Sequence, residues 1–296
     1  MSVWNDILKE LKSRAALPKN INASEWNGWN IISTFDTQSA QFISESVSMG
    51  ISRNSELAVK KGIVEYCERQ AIQNATDPAI FLTKRSDGFA AFPKINLVSQ
   101  GHARQNALNE AVERYLWVKW WDDGDIFFKF REQNLSSQTL DALKHDFNVQ
   151  KVHEIVVSDR SEKFALLILL AENSDGGYLT GGACECVESG ENHLSNLEER
   201  AFGELLRHLL AFNKIKNAPL STLSFYEQRL LGFASGRWAH KVKLRLNQCG
   251  ESKIFLPNLV VDKEISHPND DLICLYRCLF ENQPVFMGGD VDRLCI

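Results

Sequence analysis

Two pairs of glutamates stand three residues apart, Glu65 with Glu68 and Glu110 with Glu113, and an arginine follows each pair at once, Arg69 and Arg114. On a helix, residues i and i+3 share a face, so each pair projects together. Two carboxylates with Cβ atoms about 5–6 Å apart repel unless something positive lies between them. Magnesium suits such a pair, because it takes hard oxygen ligands and commonly uses one or two carboxylates together with substrate phosphates. An arginine fork can meet a carboxylate or a phosphate through two parallel hydrogen bonds. The bland alternative is a solvated helix face, where Glu and Arg one turn apart contribute only about 0.3–0.5 kcal/mol.

The pattern occurs twice in register. ELAVKKGIVEYCERQ (residues 56–70) and GHARQNALNEAVERY (101–115) superpose without a gap, so Ala58, Glu65, Glu68 and Arg69 recur as Ala103, Glu110, Glu113 and Arg114. Surface charge has no reason to repeat with a fold, whereas residues lining a cleft do. A looser third copy, LEERAFGELLRHL, sets Arg200 and Glu204 one turn apart. A period seen twice does not make a solenoid and suggests a pseudo-symmetric core of two similar units.

The elements that must position these residues alternate short β-rich runs with amphipathic helices. Residues 29–35 and 41–48 read as strands, and 55–73 as a helix that Asn54 or Ser55 could cap. Strands follow at 79–83 and 88–92. Then come a helix at 103–121, a helix at 136–147 that Ser136 or Ser137 could cap, and strands at 152–158, 164–171 and 178–186. Helices are predicted at 193–214 and 224–233 and a strand at 253–261; the remainder of the last sixty residues is mixed. The first seventeen residues form a short amphipathic helix with Val3, Trp4, Ile7, Leu8 and Leu11 on one side. Neither GxxxxGK[ST] nor GxGxxG is present, so a nucleotide would have to be held by other chemistry.

Composition narrows the function classes. The net charge of −5 provides no basic field for general nucleic-acid binding. Charged residues interrupt the N-terminal stretch, unlike a signal peptide, and no apolar run approaches the roughly 20 residues of a membrane span. Seven scattered cysteines without an export signal point to a reduced, cytoplasmic protein. Cys184 with Cys186, and Cys274 with Cys278, lack zinc-ligand spacing. Trp117, Trp120 and Trp121 could stack a base but read better as core. Cys184 and Cys186 could carry sulfur, yet nothing nearby in sequence lowers a thiol pKa. His102 could touch a ligand or merely cap a helix.

Three stretches together resemble the YcaO family. SMGISRNSELAVKKGIVEYCER (48–69) is similar to its first motif, with Gly50 fifteen residues before Glu65. SDGFAAF (86–92) followed by ARQNALNEAVERY (103–115) resembles the second, and GGACECVESGENHLSNLEERAFGELLRH (181–208) the third, with its RxxxE at Arg200 and Glu204. The motifs stand in the family's order. Two departures are plain: Gly50-Ile51-Ser52 replaces the Gly-Lys-Gly of many members, and the proline-rich tail of many azoline-forming members is missing.

The resemblance implies an α/β fold, a single YcaO-like domain with a mixed sheet and pseudo-repeated helices forming an ATP cleft. Residues 1–47 would add an N-terminal helix and strands to the same fold, and 48–296 would form the ATP-binding domain. It implies that Glu65, Glu68, Glu110, Glu113 and Glu204 hold magnesium, that Ser86, Glu65, Arg114 and Arg200 bind ATP, with the two arginines meeting phosphates, and that Ser86 lies near the nucleotide. The implied reaction is ATP- and Mg²⁺-dependent activation of a peptide amide, giving an azoline or a thioamide. The implied partners are a precursor peptide and a separately encoded protein resembling ubiquitin-activating enzymes or TfuA, with no nucleic acid or membrane and with a homodimer as one arrangement. The alternatives are a silent YcaO-like subunit that binds a peptide or partner, and another ATP-dependent ligase at the same carboxylates.

Overall fold

The computed structural model describes residues 3–35, 47–73, 86–95, 98–132, 135–187, 193–286 and 290–294. The chain forms two compact units, Met1–Ala111 with Pro257–Gln283, and Val112–Leu256 with Pro284–Ile296.

The first unit opens with helix α1 (Val3–Ser13), which buries Trp4, Ile7 and Leu11. Strands β1 (Asn20–Trp26), β2 (Trp29–Phe35) and β3 (Val47–Ser52) form an antiparallel sheet in that order. Asn27 and Gly28 turn β1 into β2, both at positive φ, the backbone a tight two-residue hairpin demands. Helix α2 (Ser55–Gln73) starts where Asn54 Oδ1 accepts the Leu57 N–H at 2.9 Å, so Asn54 is the cap. Strands β4 (Gly88–Pro93), β9 (Leu259–Ile265) and β10 (Ile273–Phe280) form a second antiparallel sheet with β10 in the middle. Helix α3 (Ser99–Asp122) gives its first half to this unit. One core joins α1 to α2 and the second sheet, with Trp4, Leu11, Ile63, Cys67, Phe89 and Leu275 among its residues.

In the second unit, β5 (Lys129–Arg131), β6 (Val149–Ser158), β7 (Phe164–Asn173) and β8 (Tyr178–Cys186) form an antiparallel sheet in chain order. Helices α4 (Ser137–Phe147), α5 (His193–Ile215), α6 (Phe225–Ala234) and α7 (Ala239–Asn247) belong to the same unit. Ser136 caps α4, and Ser224 with Glu227 forms a full capping box on α6. β7 is buried along nearly its whole length, as its unbroken apolar run requires.

The α/β class is as predicted. Among the described residues the strands lie in three sheets, and each strand pair in them is antiparallel. The strand expected at 253–261 is corrected to Leu259–Ile265. Pro257 interrupts that run because it offers no N–H and restricts the residue before it. Upstream of it, Ile254 makes only an isolated bridge to Asp159. Residues 41–46 of one predicted strand and the whole of the strand at 79–83 lie outside the described residues. Among those described, no helix is long and apolar enough to cross a membrane.

Candidate functional site

Each helix of the repeat is seated on a strand through a glycine. A Cβ added to Gly50 of β3 would stand 2.0 Å from the Ala58 carbonyl oxygen and 2.4 Å from the Gly62 nitrogen. One added to Gly88 of β4 would stand 1.9 Å from the Ala107 oxygen and 2.5 Å from the Ala111 nitrogen. One added to Gly181 of β8 would stand 2.3 Å from the Ala201 oxygen and 2.1 Å from the Leu205 nitrogen. In all three places strand backbone lies directly on one turn of helix backbone, an approach that any side chain would block.

That approach brings strand N–H groups to the glutamates. In the first unit, the Met49 N–H donates to Glu65 Oε2 at 3.0 Å, the Phe89 N–H to Glu110 Oε2, and the Ala91 N–H to Glu68 Oε2 at 3.0 Å. In the second unit, the Cys184 N–H donates to Glu113 Oε2 at 3.2 Å. The first glutamate of each pair accepts from the strand seated on its own helix. The second accepts from the third residue past a seating glycine, Ala91 after Gly88 and Cys184 after Gly181. The repeat read in the sequence is therefore a repeat of hydrogen bonds as well.

Burial first, then the charges of Glu110 and Glu65, push the Glu68 carboxyl up to about 8, against the Ala91 N–H and Arg69, which favour its charged form. Arg69 ion-pairs with Glu65 at 2.6 Å. Glu65, Glu68 and Glu110 thus share one electrostatic neighbourhood. Among the described residues, no three histidine, cysteine, aspartate or glutamate side chains gather tightly enough to hold a metal ion by themselves. An ion here would need ligands from water or phosphate, which is magnesium's habit. Ser86, which opens the turn into β4, is buried, and its hydroxyl has no hydrogen-bond partner among the described residues. A buried hydroxyl left unpaired in this way fits a polar ligand.

In the second unit, Glu113 and Arg200 bracket Cys184, since Arg200 Nη1 donates to the Cys184 carbonyl at 3.2 Å. Burial and the Glu113 charge hold the Cys184 thiol well above its ordinary pKa, so this sulfur is packed rather than reactive. Glu204 pairs with Arg207 at 3.5 Å and is about half exposed. Arg114 lies with its guanidinium carbon 5.8 Å from the centre of the Phe286 ring. Trp117 and Trp120 are core residues, and His102 stacks on Phe92 with ring centres 5.1 Å apart.

The sequence reading missed a buried ion pair in the first unit. Arg277 Nε donates to Asp87 Oδ2, with both side chains almost wholly buried. Asp87 lies between Ser86 and Gly88, and Arg277 sits opposite Phe89 in the β10–β4 ladder. The signal was present: a lone arginine inside the apolar run ICLYRCLF (273–280) must find a partner if the run is a buried strand.

No family model matches the sequence, and no curated protein matches it. Solved structures do match the fold. YcaO from Methanopyrus kandleri, bound with AMPPCP and Mg²⁺, superposes with a TM-score of 0.62 at 11% identity, over 98% of this chain and 93% of that one. A chain of the E. coli microcin synthetase McbBCD complex superposes with a TM-score of 0.55 at 10% identity, over 88% of this chain and 87% of that one. The same complex with pro-MccB17 bound gives 0.56 at 10% identity, over 89% and 87%.

Proposed function

We propose that this chain, which has the fold of YcaO proteins, binds ATP with magnesium and uses it to activate a backbone amide of a peptide. The observation that carries this reading is the setting of Glu68: a part-buried carboxyl beside Glu65 and Glu110 that still accepts the Ala91 N–H. Such a group is costly unless a cation joins it. The bound AMPPCP and Mg²⁺ of the M. kandleri structure support the same ligand class.

In this reading Glu65, Glu68 and Glu110 of the first unit, and Glu113 and Glu204 of the second, are the metal-binding carboxylates. Ser86 offers its hydroxyl to the nucleotide. Arg114 and Arg200 supply fixed positive charge to phosphoryl oxygens. Magnesium, when bound, offsets phosphate charge during transfer. A cysteine, serine or threonine of the peptide, or an external sulfide, adds to the amide carbon. The resulting oxyanion takes the γ-phosphoryl of ATP, releasing ADP, and loss of phosphate leaves an azoline or a thioamide. The chain's share is positioning and charge stabilisation.

The peptide would be presented by a separately encoded partner, resembling a ubiquitin-activating enzyme or TfuA. The likeness to a chain of the McbBCD complex supports a partnered enzyme. The test has two steps. Calorimetry should show ATP binding with Mg²⁺ and none in EDTA; equal affinity in both would overturn the carboxylate–metal reading. Phosphate release should be slow for the chain alone and rise strongly with the partner and its peptide.

A silent, peptide-binding subunit is the second reading. It is favoured by the Glu204–Arg207 pair and by the lack of a tight three-ligand cluster among the described residues. Proven ATP binding with no phosphate release under any partner would select it.

A further inference from the structure

Residues 284–286 and 290–294 are fastened to the second unit at several independent points. Arg229, fully buried on α6, donates to the carbonyl of Phe286 at 3.5 Å and of Asp290 at 2.9 Å. Trp117 Nε1 donates to the Leu294 carbonyl at 2.6 Å. Asp292 pairs with Lys241 of α7 at 2.5 Å, and Arg293 forks onto Asp122 at the end of α3. Hydrogen bonds from a buried arginine and a buried indole N–H to these carbonyls tie the segment to the interior of the unit.

What this fastening delivers is one aromatic ring. Phe286 is buried, stands edge-on to Trp117 with ring centres 6.1 Å apart, and lies 5.8 Å from the Arg114 guanidinium carbon. Arg114 and Trp117 are one turn apart on α3, so Phe286 caps two neighbours on one helix face. An aromatic face within about 6 Å of a guanidinium attracts the cation and favours a fixed orientation of the planar group. A long arginine stem loses rotamer freedom when it engages an anion, and a group already oriented loses less.

We infer that Phe286 is a positioning residue: it orients Arg114 for the phosphates of the nucleotide. This inference rests on the phosphate role proposed for Arg114. It differs from a packing role, because a packing role would act whether or not Arg114 is present.

The experiment is calorimetry of the full chain with Mg²⁺ and a non-hydrolysable ATP analogue, with the melting temperature of each protein recorded alongside. Phe286→Leu and Phe286→Met keep bulk but remove the aromatic face, and should each weaken binding roughly three- to tenfold. Phe286→Tyr keeps the face and should bind within about twofold of the parent. Arg114→Ala should weaken binding, and adding Phe286→Leu to it should change nothing further, as expected for residues acting through one another. Weak binding by Arg114→Ala with parental binding by both Phe286→Leu and Phe286→Met would overturn the inference and leave the Arg114 reading intact. Equal loss from Phe286→Leu with and without Arg114 would also overturn it, since packing alone would then explain the effect. Parental binding by Arg114→Ala would remove the phosphate role of Arg114, and the inference with it.

Discussion

Ala91 donates its backbone N–H to Glu68 at 3.0 Å, three residues beyond the glycine that seats its strand on a helix. Cys184 stands to Glu113 in the same way, three residues beyond Gly181, in the other unit. Glu68 and Glu113 are equivalent positions of the sequence repeat, so helix, strand and hydrogen bond repeat together. That makes both glutamates parts of a built arrangement rather than incidental surface charge.

Glu68→Gln and Glu113→Gln should therefore each weaken Mg²⁺·ATP binding roughly ten- to a hundredfold, the range seen when groups supporting a metal are altered. Both should also reduce the rise in melting temperature that the ligand produces, since a ligand stabilises only as far as it binds the folded state. A full ligand-induced shift in both variants would show that neither carboxylate meets the ligand.

The metal-free protein should lose stability as pH rises. Burial and two neighbouring carboxylates hold Glu68 at about 8 in the folded chain, against about 4.5 for an ordinary glutamate. Between those values the folded state keeps a proton that the unfolded chain releases, so raising the pH favours unfolding. The loss should begin near pH 4.5 and level off above pH 8. Chemical denaturation in EDTA across this range should show the slope in the parent and a shallower one in Glu68→Gln. An unchanged slope in the variant would assign the effect to other groups.

Glycine replacements offer a sharp contrast. Gly50→Ala, Gly88→Ala and Gly181→Ala would each drive a methyl to within about 2.3 Å of helix backbone. Each should destabilise by at least about 2–3 kcal/mol, the upper range for overpacking, because backbone cannot rotate aside. Gly101 lies in α3 with open space at its Cβ position. Gly101→Ala should stabilise by about 0.5–1 kcal/mol through helix propensity. Thermal melts of the four variants check both signs.

The Asp87–Arg277 pair should behave as a buried ion pair. Arg277→Met alone should cost about 3–5 kcal/mol, because it strands a buried carboxylate. Adding Asp87→Leu should recover much of that stability. If Mg²⁺·ATP affinity stays low in the refolded double variant, the pair serves the geometry of the turn that carries Ser86 as well as stability. Additive losses in the double variant would contradict coupling between the two charges.

Much of the fold was legible from periodicity. The strands at Trp29–Phe35 and Tyr178–Cys186 and the helix at Ser55–Gln73 match their predicted limits. The glutamate repeat was legible because one helical turn and a fixed offset are sequence properties. Strand β10 went unread although its apolar run was visible, because its charge, Arg277, makes sense only beside Asp87, far away in the chain. No local pattern announces a partner so distant.

The amino-acid sequence by itself determined the carboxylate pairs, their spacing on helices, the cap candidates Asn54 or Ser55 and Ser136 or Ser137, and the order of the three motifs. These follow from interactions within a few residues, which short-range sterics and hydrogen bonding govern. Tertiary structure alone decided that the sheets are antiparallel, that Gly50, Gly88 and Gly181 seat strands on helices, and that backbone N–H groups of Met49, Phe89, Ala91 and Cys184 reach the glutamates. It also set Phe286 on Arg114. The physical reason is that a close approach of two backbones, or of a ring and a cation from distant segments, depends on packing summed over the whole unit. A carboxylate's neighbours, and hence its charge, are settled only when that packing is complete.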